Sequence, residues 1–255
     1  MPNDHRISDR LTRRDALVAA GLLGAAGGVW SLLRSGGGTA EAGATARSAA
    51  ARCVLAPELT EGPYYIDEHL FRRNITEGKP GTPLDLRLTV EDATTCEPIH
   101  NATVEVWHCD AQGDYSGYDA AAGAAPAPGG GGPPGGGGGH ATPTSTTTYL
   151  RGAQRTGRNG LAAFRTIYPG WYQGRTTHIH LKVHVGGKEV HTGQLFFKDS
   201  LNAAVYAAGA YAAHGRPDTT NASDSIYANG GSRSLPAMRR KGSGYVGAIT
   251  LGVKT

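Results

Sequence analysis

The sequence predicts an all-β protein, a sandwich of mostly antiparallel strands with long loops. Several short segments alternate apolar and polar residues, which is the period of a half-buried strand. Turns rich in Gly, Pro and Asn separate these segments, and sustained helical periodicity is almost absent. Such a series of short strands is typical of two packed sheets. At 255 residues the chain is long enough for one or two domains with a substantial core.

The first 52 residues have the pattern of an export signal. Arg13 and Arg14 close a basic stretch, a Gly- and Ala-rich run of moderate hydropathy follows to Leu33, and small residues come next. This order is typical of a twin-arginine signal. A single membrane anchor is the alternative, because the run approaches the length that spans a bilayer. We expect export to the cell envelope or the extracellular space, with membrane contact only during export, and the cleavage site stays open.

The net charge of +4 does not indicate nucleic-acid binding. Residues 1–52 hold seven of the 25 Lys and Arg but only four of the 21 Asp and Glu, so the remainder is almost neutral. A surface that binds a phosphate backbone needs a concentrated excess of positive charge. We therefore expect no nucleic-acid partner.

Residues 53–255 are predicted to form the single folded domain. After an irregular lead-in, LDLRLTVED alternates strictly and predicts a strand over 84–92. Further strands are expected in TVEVWHCD, GLAAFRTI, THIHLKVHV, EVHTGQLFF and GYVGAITLGV, with a short helix in SLNAAVYAAGAYAAHG. Residues 120–147 are rich in Gly and Pro and cannot bury enough apolar area to order themselves. They predict a disordered surface loop inside the domain.

The chain has three cysteines, Cys53, Cys96 and Cys109. An exported protein reaches an oxidising compartment, where one disulfide and one remaining thiol are expected. If residues 89–109 form a hairpin that turns near His100, Cys96 and Cys109 lie at different heights on it. A pair involving Cys53 is then favoured, with Cys96 as the preferred partner. A zinc site is the alternative, although no C-x-x-C motif occurs.

His178 and His180 are candidate metal ligands in the predicted strand THIHLKVHV. Alternate residues of a strand share a face, so both imidazoles point the same way and Ile179 points into the opposite layer. This spacing suits two ligands of one metal ion. A polar strand face is the more common origin of such a pattern, and His184 extends the same face.

Two tyrosines strengthen the case for a metal site. Tyr172 follows a Pro-Gly turn just before the histidine strand, and Tyr115 follows TVEVWHCD, where a turn would leave its phenol at a sheet end. Each tyrosine alone could be a packed aromatic residue with a hydrogen-bonded hydroxyl. Two phenols with two imidazoles suit ferric iron, a hard Lewis acid that prefers anionic oxygen ligands. A ferrous site more usually has two histidines and a carboxylate.

The segments TEGPYY, VWHCDAQGDYSGY, RTIYPGWYQGRTTHIH and TGQLFF, in this order, resemble the intradiol ring-cleavage dioxygenases, and most closely their exported single-chain branch. The resemblance runs from Cys53 to Tyr227 and implies a prealbumin-like (Ig-like) β-sandwich. It implies an enzyme with one non-haem Fe(III) per chain. Such an enzyme uses O2 to cleave the ring of a catechol-type aromatic diol to a cis,cis-muconate type product.

The resemblance also assigns roles to individual residues. Four positions match the iron ligands of the family, namely Tyr115, Tyr172, His178 and His180. Tyr172 would in addition leave the metal and take a substrate proton, and Arg175 would stabilise charge on the ring. Three positions match residues near the substrate pocket: Tyr64, Tyr65 and Gln194.

Two features depart from the family, and two alternatives stay open. The chain has no room for the helical dimerisation region of cytoplasmic catechol dioxygenases, so a homodimer is neither required nor excluded. Residues 120–147 are longer than expected and would cover or line the entrance. A non-catalytic transthyretin-like binding module would share the fold. A cupin could use Glu189 and His191, but both tyrosines and Arg175 would then be unexplained.

Overall fold

The computed structural model describes residues 53–68, 70–118 and 140–255. The predicted signal region, residues 1–52, lies outside this part of the chain, as does most of the predicted loop over 120–147. The described residues form two four-stranded sheets with one short α-helix, which confirms the predicted all-β fold. In this part of the chain, no helix has the length and hydropathy needed to cross a membrane.

The strands follow one another along the chain with the helix between the sixth and the seventh. The bounds are β1 (Pro83–Asp92), β2 (Thr103–Trp107), β3 (Arg151–Arg155), β4 (Leu161–Ile167), β5 (His178–Val185), β6 (Lys188–Phe196), α1 (Asp199–Tyr206), β7 (Ala237–Lys241) and β8 (Gly244–Val253). One sheet has the order β4-β1-β8-β7 and the other the order β3-β2-β5-β6. The β1–β8 pair is parallel, and the other pairs of these strands are antiparallel.

The core lies between the two sheets and follows from the alternation in the sequence. In β1 every second residue from Leu84 to Val90 is fully buried, while the residues between them are partly or fully exposed. Ile179, Leu181 and Val183 of β5 enter the same core from the other sheet. The opposite face of β5, which carries His178 and His180, therefore points away from the core.

The connection between β1 and β2 differs from the expectation. The two strands belong to different sheets, so the hairpin over 89–109 does not form. Both strands bury one face in the core between the sheets, because the chain crosses from one sheet to the other after β1. Cys53 is joined to Cys96, which confirms the preferred pairing, and Cys109 is a buried free thiol. The disulfide ties the start of the domain to the β1–β2 connection.

Residues 53–66, here called the lead-in segment, run past the edge strand β6 and reach the outer face of β5. The amide of Leu59 donates to the carbonyl of Thr192 in β6 at 3.0 Å. Further along, Gly62 packs directly against the ring of His180. Residues 140–147, the last part of the predicted loop, are described, and the amide of Ala141 donates to the carbonyl of Pro63 at 2.9 Å. The lead-in segment thus covers the end of β5 that carries the two histidines.

Candidate metal centre

The four predicted metal ligands come together at one end of β5. The Nε2 atoms of His178 and His180 lie 3.0 Å apart, and the hydroxyl of Tyr172 lies 3.2 Å from Nε2 of His178. The ring centroid of Tyr115 is 5.8 Å from that of Tyr172 and 6.1 Å from that of His180. The loop after β2, the turn before β5 and β5 itself therefore supply one compact group of two imidazoles and two phenols.

The protonation of the two imidazoles suits a metal ion. Nδ1 of His178 donates to the carbonyl of Thr176 at 2.7 Å, so its Nε2 presents a lone pair toward His180. Burial lowers the pKa of both histidines, and the positive charge of Arg175 lowers it further. Both rings are therefore neutral, which is the state that binds a metal.

The phenols fit the same conclusion. The hydroxyl oxygen of Tyr115 is buried and makes no hydrogen bond of ordinary geometry to the described residues, although the phenol of Tyr172 lies close enough to affect it. Such a group is costly unless something satisfies it. Burial raises the pKa of both Tyr115 and Tyr172, so each stays a neutral phenol until a cation compensates its charge. The unsatisfied phenol beside two neutral imidazoles is a donor set that a hard cation would complete.

Rigid neighbours hold the ligand side chains in place. The indole of Trp107 stacks on the ring of His180, with centroids 5.0 Å apart and planes 6° from parallel. The Cε1 edge of that ring meets Gly62, which has φ +77° and where a Cβ would lie 3.0 Å from Cε1 of His180. Tyr64 stacks on Tyr115 at 4.5 Å. His180 is thus held by an indole stacked on its ring and by the backbone of Gly62, a position with positive φ, at the edge of the ring.

A cavity of about 220 Å³ lies beside Tyr115 and Tyr172. Its walls are aromatic and polar, and none of the described residues that line it is Arg or Lys. Besides the two candidate ligands, the lining residues that matter for a substrate are Tyr64, Asp114, Tyr118, Trp171 and His214.

Arg175 is held by two polar side chains next to the candidate ligands. Its Nε donates to Oδ2 of Asp224 at 2.8 Å, and its Nη2 donates to Oε1 of Gln194 at 2.6 Å. Gln194 in turn donates from Nε2 to the carbonyl of Thr60 at 2.8 Å. The guanidinium charge acts on Tyr172, whose pKa it lowers against the effect of burial.

Solved structures show which proteins share this arrangement of strands. An intradiol ring-cleavage dioxygenase from Tetranychus urticae is 32% identical to this chain, with a TM-score of 0.71, and the match covers 79% of this chain and 95% of that one. This chain belongs to the intradiol ring-cleavage dioxygenases. It is therefore an enzyme of the catechol ring-cleavage family, an oxidoreductase.

Two further structures extend the comparison. The dioxygenase domain of a dioxygenase carbohydrate-binding protein fusion from Streptomyces sp. SirexAA-E is 26% identical, with a TM-score of 0.55, over 79% of this chain and 99% of that one. Hydroxyquinol 1,2-dioxygenase from Pseudomonas putida DLL-E4 is 17% identical, with a TM-score of 0.52, over 82% of this chain and 68% of that one, and shares the fold. No protein-family model and no curated protein matches the sequence.

Two of the residues predicted near the substrate are not among the residues that line the cavity. Tyr65 points away from the cavity, donates from its hydroxyl to Glu105 at 3.0 Å and lies beneath the ammonium of Lys182. Tyr64, the preceding residue, lies in a turn and lines the cavity instead. Gln194 does not line the cavity and contacts Arg175.

The geometry also bears on the cupin alternative. Nδ1 of His191 contacts Glu58 at 2.8 Å, and Glu189 forms an ion pair with Lys182 at 2.6 Å. Both residues are thus engaged away from the two central histidines. Among the described residues there is no group of three or more His, Cys, Asp or Glu suited to a metal ion. The candidate metal site in the described residues is therefore the group of two tyrosines and two histidines.

Asp224 is the residue of the site that the sequence did not reveal. It is buried, and its carboxylate accepts a hydrogen bond from Arg175 and three from backbone amides. In the sequence it follows DTTNAS, a run of turn-forming residues 49 positions after Arg175. Such a run predicts a loop, and nothing in it indicates a contact with the arginine.

Proposed function

We propose that this protein is an exported, Fe(III)-dependent intradiol dioxygenase that uses O2 to cleave an uncharged catechol to a cis,cis-muconate type product. The observation that carries the proposal is the convergence of Tyr115, Tyr172, His178 and His180, with the buried hydroxyl of Tyr115 left unsatisfied. Two phenols and two neutral imidazoles favour a ferric ion over the softer or divalent ions that proteins bind.

These four residues would hold one iron ion per chain. Bound Fe(III) would act as a Lewis acid that holds a catechol through its two oxygens and makes the ring electron-rich enough to react with O2. The protein contributes the arrangement of the donors. Trp107 and Gly62 fix the ring of His180, the carbonyl of Thr176 fixes the tautomer of His178, and burial keeps water from competing.

Tyr172 is placed to take a proton from the substrate. Its hydroxyl belongs to the ligand set, while its side chain also lines the cavity where a catechol would enter. Burial raises the pKa of this phenol above its usual value, so its phenolate is a strong base once no cation stabilises it. We assign to Oη of Tyr172 the acceptance of one catechol hydroxyl proton.

Arg175 would stabilise negative charge that develops on the ring. Its guanidinium is fixed by Asp224 and Gln194 before any substrate arrives, so its orientation costs nothing during the reaction. Removing one preorganised donor of this kind costs on the order of 10²–10³ in rate.

The cavity favours a small uncharged catechol. A cavity of about 150 Å³ is enough for benzene, and the cavity here measures about 220 Å³. No Arg or Lys among its described lining residues could pair with a substrate carboxylate. We therefore propose catechol or hydroxyquinol as the substrate, in preference to protocatechuate.

Export is proposed on two grounds. The arginine pair and the Gly- and Ala-rich run in residues 1–52 fit a twin-arginine signal. The disulfide between Cys53 and Cys96 suits an oxidising compartment. The twin-arginine route moves folded proteins, so iron could be bound before transport.

Metal analysis with visible spectroscopy tests the proposed site. The purified protein should hold one iron per chain and be reddish, because tyrosinate bound to ferric iron gives a charge-transfer band. Tyr115→Phe and Tyr172→Phe should each change the band, while Tyr65→Phe, the matched control outside the cavity, should leave it unchanged. A colourless protein with stoichiometric zinc or manganese would contradict the proposal and favour the binding module.

A further inference from the structure

The turn that carries both Tyr172 and Arg175 is held by a separate segment of the chain. Residues 218–224, here called the clasp segment, lie after α1 and contact this turn at successive points. The amide of Gly174 donates to Asp218 at 3.1 Å, and the side chains of Thr176 and Asn221 are hydrogen-bonded at 2.8 Å. The clasp segment therefore packs along a turn that is itself closed by the hydrogen bond from the amide of Arg175 to the carbonyl of Tyr172 at 3.2 Å.

Asp224 forms the innermost contact of the clasp segment. Oδ2 of Asp224 accepts from Nε of Arg175 and from the amide of Thr176, both at 2.8 Å. Oδ1 accepts from the amides of Ile226 and Tyr227 at 2.8 and 2.9 Å. Both oxygens are thus fixed by backbone amides. The side chain of Asp224 is 0% exposed and that of Arg175 is 11% exposed.

This geometry limits the orientations open to the arginine. A long Arg side chain loses much rotamer freedom when it is fixed, and a buried carboxylate locked by three amides offers only one direction for Nε. Gln194 accepts a second hydrogen bond from the guanidinium, from Nη2 at 2.6 Å. Neither Asp224 nor Arg175 lines the cavity. The guanidinium charge of Arg175 reaches Tyr172, and Asp224 acts on the site through the guanidinium that it holds.

We propose that Asp224 is a positioning residue of the dioxygenase, which orients Arg175 toward the substrate ring. This inference rests on the proposed function, because it gives the arginine a role at the ring. A purely structural role for Asp224 is the competing explanation, since its carboxylate also satisfies the turn at Ile226 and Tyr227.

A double-mutant cycle separates the two explanations. Asp224→Asn keeps the shape of the side chain but replaces one acceptor oxygen by an NH2 group. This NH2 group would face the N–H groups of Arg175 or of the backbone, which are also donors. We expect kcat for catechol to fall about 10²-fold, as for a misplaced catalytic group. KM, iron content and the visible band should change little. In an Arg175→Ala background, the same substitution should have almost no further effect on kcat.

Asp218→Asn is the matched control. Asp218 contacts the same turn through the amide of Gly174 but does not contact Arg175. We expect this variant to keep kcat within about threefold of wild type, a factor worth under 1 kcal/mol, even where its midpoint of thermal unfolding falls. Asp224→Glu is a second variant that keeps the charge and moves the carboxylate. If Asp224→Asn does not fold, Asp224→Glu still tests the inference, and its kcat should also fall.

Several outcomes would overturn the inference. Asp224→Asn could retain full activity, could lose iron in proportion to activity, or could lower kcat equally with and without Arg175. Failure of the proposed function has a different signature, because the wild-type protein would then cleave no catechol at all. Calorimetric titration of catechol without O2 adds a second readout. Asp224→Asn should bind catechol nearly as tightly as wild type, and a complete loss of binding would contradict a role confined to orienting Arg175.

Discussion

Replacing Gly62 by alanine should loosen the metal centre from outside the ligand set. Gly62 has φ +77°, a conformation that costs an L-residue about 1–2 kcal/mol. A Cβ would also lie 3.0 Å from Cε1 of His180, which is closer than ordinary van der Waals contact. The ring cannot shift freely, because Trp107 stacks on its face with ring centroids 5.0 Å apart. His180 must therefore shift by a few tenths of an ångström.

The expected effect has two separable parts. The backbone strain should lower the free energy of unfolding by about 1–2 kcal/mol. The displaced imidazole should weaken iron binding by about 10–100-fold, the usual effect of disturbing a residue that orients a ligand. Gly78→Ala is the matched control, since Gly78 has φ +78° and nothing lies within 4 Å of its Cβ position. It should show the strain without the loss of metal.

Urea denaturation and competition with a chelator measure the two parts independently. Gly62→Ala should release iron at lower chelator concentration than wild type, and Gly78→Ala should match wild type. If both variants retained iron as tightly as wild type, the close contact between Gly62 and His180 would not constrain the metal, and the reasoning would be wrong.

Two further predictions concern individual side chains. Arg175→Ala should keep iron and colour but lose about 10²–10³ in rate, whereas His180→Ala should lose iron. Metal analysis and turnover measurements check both variants, and a fully active Arg175→Ala would contradict the role of the arginine. Burial lowers the pKa of His108 from 6.5 to about 4, so the unfolded state binds its proton first as pH falls below 6.5. The free energy of unfolding should therefore fall between pH 6.5 and 4. Urea denaturation at a series of pH values should show that His108→Gln loses less free energy of unfolding than wild type in this range, by about 1.4 kcal/mol per pH unit. An equal pH dependence in the two proteins would exclude this cause.

Alternation in the sequence predicted which residues face the core but not which sheet each strand joins. The strict pattern of β1 located a strand correctly, yet β2 pairs with β5 rather than with β1. Two strands were missed because they lack an apolar pattern. β3 reads RGAQR, and β7 reads AMRRK at an exposed sheet edge. Their strand structure comes from pairing with neighbours, which the local sequence does not encode.

The residues of the candidate site also fall into two groups, those that the sequence could indicate and those that it could not. The four possible ligands lie in short motifs whose residue types suit a metal, so the sequence could indicate them. Asp224 could not be found, because its role depends on a contact between distant loops. Tyr64 and Tyr65 could not be separated either, since an irregular segment has no period that tells which ring faces the cavity.

Product analysis with labelled oxygen tests the central claim most directly. Wild-type protein would be incubated with catechol under ¹⁸O2, and the product identified by mass and ultraviolet absorption. The proposed reaction predicts a cis,cis-muconate that carries two labelled oxygen atoms, because the bond between the two hydroxylated carbons is broken and both atoms of O2 enter the product. A yellow semialdehyde, or unchanged catechol with an iron-loaded protein, would contradict the proposed reaction.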